Sequence, residues 1–282
     1  MQAITAHNQI SKIVSQAKAQ GKTVGFVPTM GALHKGHASL IDYALKDCAL
    51  IVVSIFVNPT QFNNATDLEK YPRTIEKDLA FLSHYGSKVT VYNPSPEEIY
   101  GNNVSSKGYD FGHLETVMEG EHRPGHFDGV GTVLNILFRQ VNPHKAYFGE
   151  KDFQQLTIVR KLVDIENLDL EIIGCPIHRQ ENGLAMSSRN ARLTAHQLDI
   201  APFIYESLLY VKDNFDTLSA RELKAYIESI YKEKDGLELE YFEIVNIKNL
   251  RTLSRKRKNQ QYRAFLAVYA GEVRLIDNIA LN

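Results

Sequence analysis

Two histidines three residues apart, His34 and His37, stand in the stretch Pro28-Thr29-Met30-Gly31-Ala32-Leu33-His34-Lys35-Gly36-His37. Gly31 and Gly36 carry no Cβ and let a backbone approach a ligand closely. If the stretch joins a strand to a helix, the unpaired N–H groups and the positive end of the helix dipole favour a phosphate there. Two imidazoles would add donors able to stabilise charge building up in an in-line displacement at phosphorus. Metal ligation by the pair is the alternative, but no Cys or paired carboxylate completes a tetrahedral set at familiar spacing. The common phosphate fingerprints are absent: Gly21-Lys22-Thr23 lacks the earlier glycine of a P-loop, and Gly129-Val130-Gly131 lacks the third glycine of a dinucleotide site.

Four further groups carry possible chemistry. In Gly149-Glu150-Lys151-Asp152, followed by Gln154 and Gln155, the lysine can meet a phosphate and the aspartate a ribose or a metal ion; the alternative is a solvated turn. In Met186-Ser187-Ser188-Arg189-Asn190, two hydroxyls and a guanidinium could close over a triphosphate, or simply cap a helix. Arg123, within Glu121-His122-Arg123-Pro124-Gly125-His126-Phe127, offers an anion contact unless it is solvated. Gln61, in Asn58-Pro59-Thr60-Gln61-Phe62, could pair with Gln155 in hydrogen bonding a small polar acid.

The elements that must position these residues follow from periodicity. Residues 23–28, 49–57 and 88–92 read as buried strands, and 37–48 and 73–85 as helices, giving βαβαβ, half of a doubly wound sheet. Residues 101–129 read mostly as loop and short strand. A helix over 129–141, a strand at 145–148, a helix at 153–166 and a strand at 170–175 continue the pattern. After Glu181-Asn182-Gly183 the character changes: helices over 194–213 and 219–232 precede strands at 237–246, 262–269 and 273–276. The expected architecture is α/β, a Rossmann-like doubly wound parallel sheet with a smaller C-terminal α+β domain. Residues 1–182 form the nucleotide- and substrate-binding domain and 183–282 the smaller one.

Composition narrows the class of protein. With 44% hydrophobic and 23% charged residues and a net charge of −1, the chain is neither a disordered segment nor an evident nucleic-acid binder. The basic run of Arg251, Arg255, Lys256, Arg257, Lys258 and Arg263 has no aromatic interleaved from Arg251 to Lys258 and reads as a solvated loop. Cys48 and Cys175 each adjoin an apolar run, as buried thiols in a reducing compartment do. No stretch approaches the ~20 apolar residues of a membrane span, and the N-terminus lacks an apolar signal core. A cytoplasmic enzyme is expected.

Taken in order, PTMGALHKGH, VSIFVNPTQF, EKYPRT, RPGHFDGV, FGEKDFQQL, GLAMSSRN and LIDNI resemble the pantothenate synthetase family, the pantoate beta-alanine ligases. The resemblance spans almost the whole chain, more weakly in its last third, where EIVN and RLIDNI carry it. The family belongs to the nucleotidyl transferases with a His-x-Gly-His signature, and MSSR resembles the mobile loop of aminoacyl-tRNA synthetases. It implies ATP-dependent condensation of pantoate with β-alanine to pantothenate, AMP and pyrophosphate, with Mg²⁺, through a pantoyl adenylate. It also implies an ATP site of Met30, Gly31, Ala32, Leu33, His34, Lys35, Gly36, His37, Gly149, Glu150, Lys151, Asp152, His178, Met186, Ser187, Ser188 and Arg189. His34 and His37 would be catalytic, His37 as proton donor, and no residue is assigned as a metal ligand. Gln61, Gln155 and Arg123 would bind substrate, the second domain would act as a lid, and the enzyme would be a homodimer without nucleic-acid or membrane partners. Asn135 stands where many relatives have Lys, and His178 fills a position expected to act through its backbone.

Overall fold

The computed structural model describes residues 1–62 and 65–282, and the chain divides into two compact units. One comprises Met1–Glu150 and Gln154–Pro176, the other Lys151–Phe153 and Ile177–Asn282. The change of character expected at Gly183 falls inside the second unit.

In the first unit, β1 (Ala3–Ile4), α1 (His7–Ala19), β2 (Val24–Thr29), α2 (Lys35–Asp47), β3 (Leu50–Ile55), α3 (Ala65–Glu69), α4 (Ile75–Leu82) and β4 (Val89–Tyr92) follow in chain order. Next come α5 (Pro96–Tyr100), α6 (Glu119–His122), α7 (His126–Val141), β5 (Lys145–Gly149), α8 (Phe153–Ile165) and β6 (Glu171–Cys175). All six strands are parallel, in the order β1-β4-β3-β2-β5-β6. Every residue of β3 is buried, because helices cover both faces of an interior parallel strand, and its run is apolar apart from Ser54. From β2 the chain winds one way through β3 and β4, then returns to β5 and β6 on the other side. The strand order therefore reverses between β2 and β5, and the crevice beyond their carboxyl ends is where such sheets bind ligands.

The second unit contains α9 (Ala195–Ile200), α10 (Phe203–Asp213), α11 (Ala220–Lys232) and the antiparallel sheet β7 (Glu238–Asn246), β8 (Tyr262–Ala270), β9 (Val273–Ala280). Its core joins Ile204, Leu208 and Val211 of α10 and Leu223 and Ile227 of α11 to Phe242, Leu266 and Leu275 of the sheet.

Four local expectations need correction. The single helix over 194–213 is two, because Pro202 has no N–H to bond back to Leu198 and the helix must restart at Phe203. Residues 101–125 contain helical turns and loop but no strand among the described residues. Arg263 does not belong to a solvated loop; it is buried on β8 and donates to Asn278. Lys256 is likewise committed, donating to the carbonyls of Phe215 and Leu218, while Arg251, Arg255, Arg257 and Lys258 are exposed. Cys48 and Cys175 are free and buried, and burial pushes the Cys175 thiol up to about 11. Among the described residues, no helix is long and apolar enough to cross a membrane.

Candidate active site

At the end of β2 the backbone turns sharply, with φ of 83° at Gly31 and 49° at Ala32. Gly31 is required twice over: its φ is left-handed, and an added Cβ would lie 3.1 Å from both Asp78 Oδ2 and Ile55 Cγ2. The Thr29 hydroxyl donates to Ser54 O at 2.7 Å and accepts from Gly31 N at 3.2 Å, tying the turn to β3. Asp78, on α4 and 2% exposed, accepts from Ala32 N at 3.0 Å and Leu33 N at 2.7 Å.

The turn delivers His34 to the N-cap of α2. His34 Nδ1 accepts from Gly36 N at 3.1 Å, and His37 Nδ1 accepts from His34 N at 3.3 Å, a reciprocal capping box built from two imidazoles. An Nδ1 that accepts a backbone N–H holds no proton, so each neutral ring carries its proton on Nε2. The ring centroids are 4.0 Å apart. The capping that starts the helix thus also fixes both tautomers, with Nε2–H groups as donors at a helix N-terminus on the sheet's switch point. Lys35 beside them is exposed. Among the described residues no group of three or more His, Cys, Asp or Glu side chains is placed to hold a metal ion.

Gln61 is buried in the turn after β3, and a relay sets which way its amide faces. Burial pushes the Tyr100 phenol up, so it stays protonated and donates to Asn58 Oδ1. Asn58 Nδ2 donates to Gln61 Oε1 and to Gly129 O, both at 3.1 Å. That leaves Gln61 Nε2 as the outward donor, 3.1 Å from Met30 Sδ. Gly129 permits the close crossing, since a Cβ there would overlap the Thr60 carbonyl.

Arg123 is held rather than solvated, at 20% side-chain exposure: its NH1 lies 3.5 Å from Glu119 and 3.2 Å from His126 Nε2. Arginine only donates, so His126 accepts on Nε2 and donates from Nδ1 to Gln61 O at 2.8 Å. His126 therefore links two of the expected substrate residues. The third, Gln155, is half-buried in the first turn of α8. The glutamine before it, Gln154, is buried and holds the 114–119 loop through Leu114 O, Val117 O and Glu119 N. Gly149 ends β5 and Glu150 follows it, both half-buried at the carboxyl edge. Asn135 is engaged with Tyr109 and Arg139 on α7.

In the second unit, Lys151 Nζ lies 3.8 Å from Asp152, whose side chain is half exposed. Lys151, Ser187, Asn190 and Asp277 border a cavity of about 10 Å³. The His178 carbonyl accepts from Met186 N at 3.0 Å and hangs residues 186–189 beside it. Ser187 caps the following 3-10 turn, accepting from Arg189 N at 3.3 Å, with Ser188 and Arg189 half-buried in that turn. Capping, the alternative expected for this segment, is thus part of its structure. Motif reading gave no role to Asn58, Asp78, His126, Arg179 or Asp277, and each of them is bonded to at least one residue far away in the chain: Tyr100, Leu33, Gln61, Asp277 and Arg179 respectively.

A doubly wound sheet carrying a histidine-capped, glycine-bearing loop at its switch point is the form of a nucleotide-binding protein, with donors for a phosphate at the N-terminus of α2. The model of the pantoate-beta-alanine ligase family matches residues 2–280, and the chain belongs to that family. Pantothenate synthetase from Christiangramia forsetii is 50% identical over 282 residues, covering 100% of each chain, and that from Bacteroides fragilis is 46% identical over 279 residues, covering 99% and 98%. The crystal structure of pantothenate synthetase from Thermus thermophilus superposes with a TM-score of 0.91 at 36% identity, covering 100% and 99%. Pantoate-beta-alanine ligase from Francisella tularensis, complexed with beta-gamma ATP and beta-alanine, superposes at 0.81 with 38% identity, covering 100% and 98%.

Proposed function

We propose that the chain condenses pantoate with β-alanine at the expense of ATP, giving pantothenate, AMP and pyrophosphate through a pantoyl adenylate. The observation that carries this reading is the histidine capping box at the switch point, within a family-wide match. The pantoate carboxylate attacks the α-phosphate and pyrophosphate leaves; the uncharged amine of β-alanine then attacks the acyl carbon, AMP leaves and the nitrogen loses a proton.

Met30, Gly31, Ala32, Leu33, His34, Lys35, Gly36 and His37 take the nucleotide phosphates, His34 and His37 through Nε2–H. His37 acts as proton donor toward the leaving oxygen. Gly149, Glu150, Lys151, Asp152, His178, Met186, Ser187, Ser188 and Arg189 complete the nucleotide contacts. Gln61 presents its Nε2 donor and Gln155 its amide to pantoate, with Arg123 as an anion contact. Mg²⁺ would accompany the ATP phosphates and supply positive charge there, and Asp152, whose side chain is half exposed, could help hold it. The enzyme works in the cytoplasm, in keeping with two unpaired thiols, and as a homodimer, as its family resemblance implies. Light scattering on the purified protein tests the dimer.

The activity is tested by following AMP and pyrophosphate while omitting pantoate, β-alanine, ATP and Mg²⁺ in turn. Continuous turnover requires all four, and ADP as product would overturn the reading.

A further inference from the structure

We infer that Asp78 is a positioning residue for ATP, setting the geometry of the nucleotide loop without touching the nucleotide. The inference rests on assigning residues 30–37 to ATP. Asp78 lies on α4, 46 positions from Ala32, yet its two carboxylate oxygens accept from the consecutive amides of Ala32 and Leu33 at 3.0 and 2.7 Å. The hydroxyl of Thr74, the N-cap residue of the same helix, points at both oxygens at 3.4 Å. Asp78 is 2% exposed, so these donors replace the water its carboxylate has lost.

What the carboxylate holds is a backbone that a free loop would not keep. Ala32 is a non-glycine residue at φ 49°, and the preceding Gly31 is at φ 83°. Two charge-assisted hydrogen bonds offset that cost. The restraint is tight on both sides, since a Cβ on Gly31 would meet Asp78 Oδ2 at 3.1 Å. Downstream of the clamped amides comes His34, whose capping box sets both imidazoles, and upstream lies Met30 against Gln61. Moving the 31–33 backbone therefore moves the Nε2–H donors relative to the α-phosphate. Geometry of this kind matters steeply in displacement chemistry.

The test compares Asp78→Asn and Asp78→Ala with the wild-type enzyme. Asn keeps one acceptor but sets an NH₂ against one amide donor, and Ala removes both acceptors. We expect Asp78→Asn to lower kcat/KM for ATP by roughly 10–100-fold, in line with the penalty for small misplacements. KM for β-alanine should stay at the wild-type value, and Asp78→Ala should lose more. Should a variant lower only the melting temperature, with wild-type kcat/KM for ATP well below the transition, Asp78 is a packing residue and the inference is overturned. If neither variant folds, amide exchange of the wild-type enzyme decides: protection at Ala32 and Leu33 supports the clamp, and free exchange there rejects it. His37→Ala run in parallel separates the two ideas, because a wild-type kcat/KM for ATP in this variant refutes the assignment of the loop, whatever Asp78 does.

Discussion

The two site histidines do two jobs each, and substitution can separate them. Through Nδ1 they cap α2; through Nε2–H they supply donors. Replacing His34 by Ala should remove an N-cap, a loss of about 1 kcal/mol. Replacing it by Asn should restore the cap, because the short amide oxygen can reach the same amides, yet leave no imidazole donor. Stability and turnover should therefore part company: both fall in His34→Ala, whereas only turnover falls in His34→Asn. For His37→Ala, turnover should drop by roughly 10²–10³-fold if the ring acts mainly in the transition state. A change confined to the affinity for ATP would make it a ground-state contact. Denaturant melts and ATP-dependent kinetics on the three variants read out both quantities.

At the scale of elements, how α1 begins explains both a gap in the sequence reading and a pH effect. The helix buries only Ile10, Val14 and Ala17 amid polar residues, and its N-cap, Ala6, has no side chain to cap it, so neither start signal nor broad stripe marks it. Its first turn is tied instead by Glu98 on α5, which accepts from His7 N at 2.7 Å and meets its ring at 2.6 Å. These bonds hold the Glu98 carboxyl below its ordinary range. A lowered carboxylate pKa adds stability that is present above the unfolded value and is lost as pH falls through the folded one. The wild type should thus exceed Glu98→Gln in stability at pH 7, and the gap should close below about pH 4. Equal melting of the two at pH 7 would show that the tie contributes nothing. What was legible were the strands buried on both faces and the glycine-histidine loop, where local pattern and function coincide. Asp78 left one trace, an acid at the position of the α4 stripe between Ile75 and Leu82 that should be apolar. Of the Tyr100-Asn58-Gln61 relay, only the Asn58–Gln61 motif was visible; Tyr100 left no trace, because it meets Asn58, 42 positions away, only after folding.

At the scale of the whole molecule, the second unit depends on a strand at the end of the chain. β9 carries Asp277, which takes both guanidinium nitrogens of Arg179 at 2.5 and 2.9 Å, and Asn278, whose amide donates to Lys151 O at 2.8 Å. Arg179 also donates to Gly183 O at 3.1 Å and stacks 3.8 Å over the Tyr205 ring. Phe153 packs on Phe265 with centroids 6.0 Å apart and lies under Arg263. One end of β9 therefore secures Lys151, contributed from the middle of the sequence, together with the turn that leads into Met186, Ser187, Ser188 and Arg189. Asp277 is buried at 3% side-chain exposure and Arg179 largely so at 16%, so deleting Arg179 strands the buried charge of Asp277. Arg179→Met should cost about 3–5 kcal/mol. Replacing both residues, as Arg179→Met with Asp277→Leu, should recover most of that loss, because no buried charge is left unpaired. The double variant should nonetheless stay slow in ATP turnover, since the hydrogen bond to Gly183 O is gone. Urea melts give the stability, amide exchange on β8 locates it, and a double variant as unstable as Arg179→Met would mean that the pair is not what holds this end of the sheet.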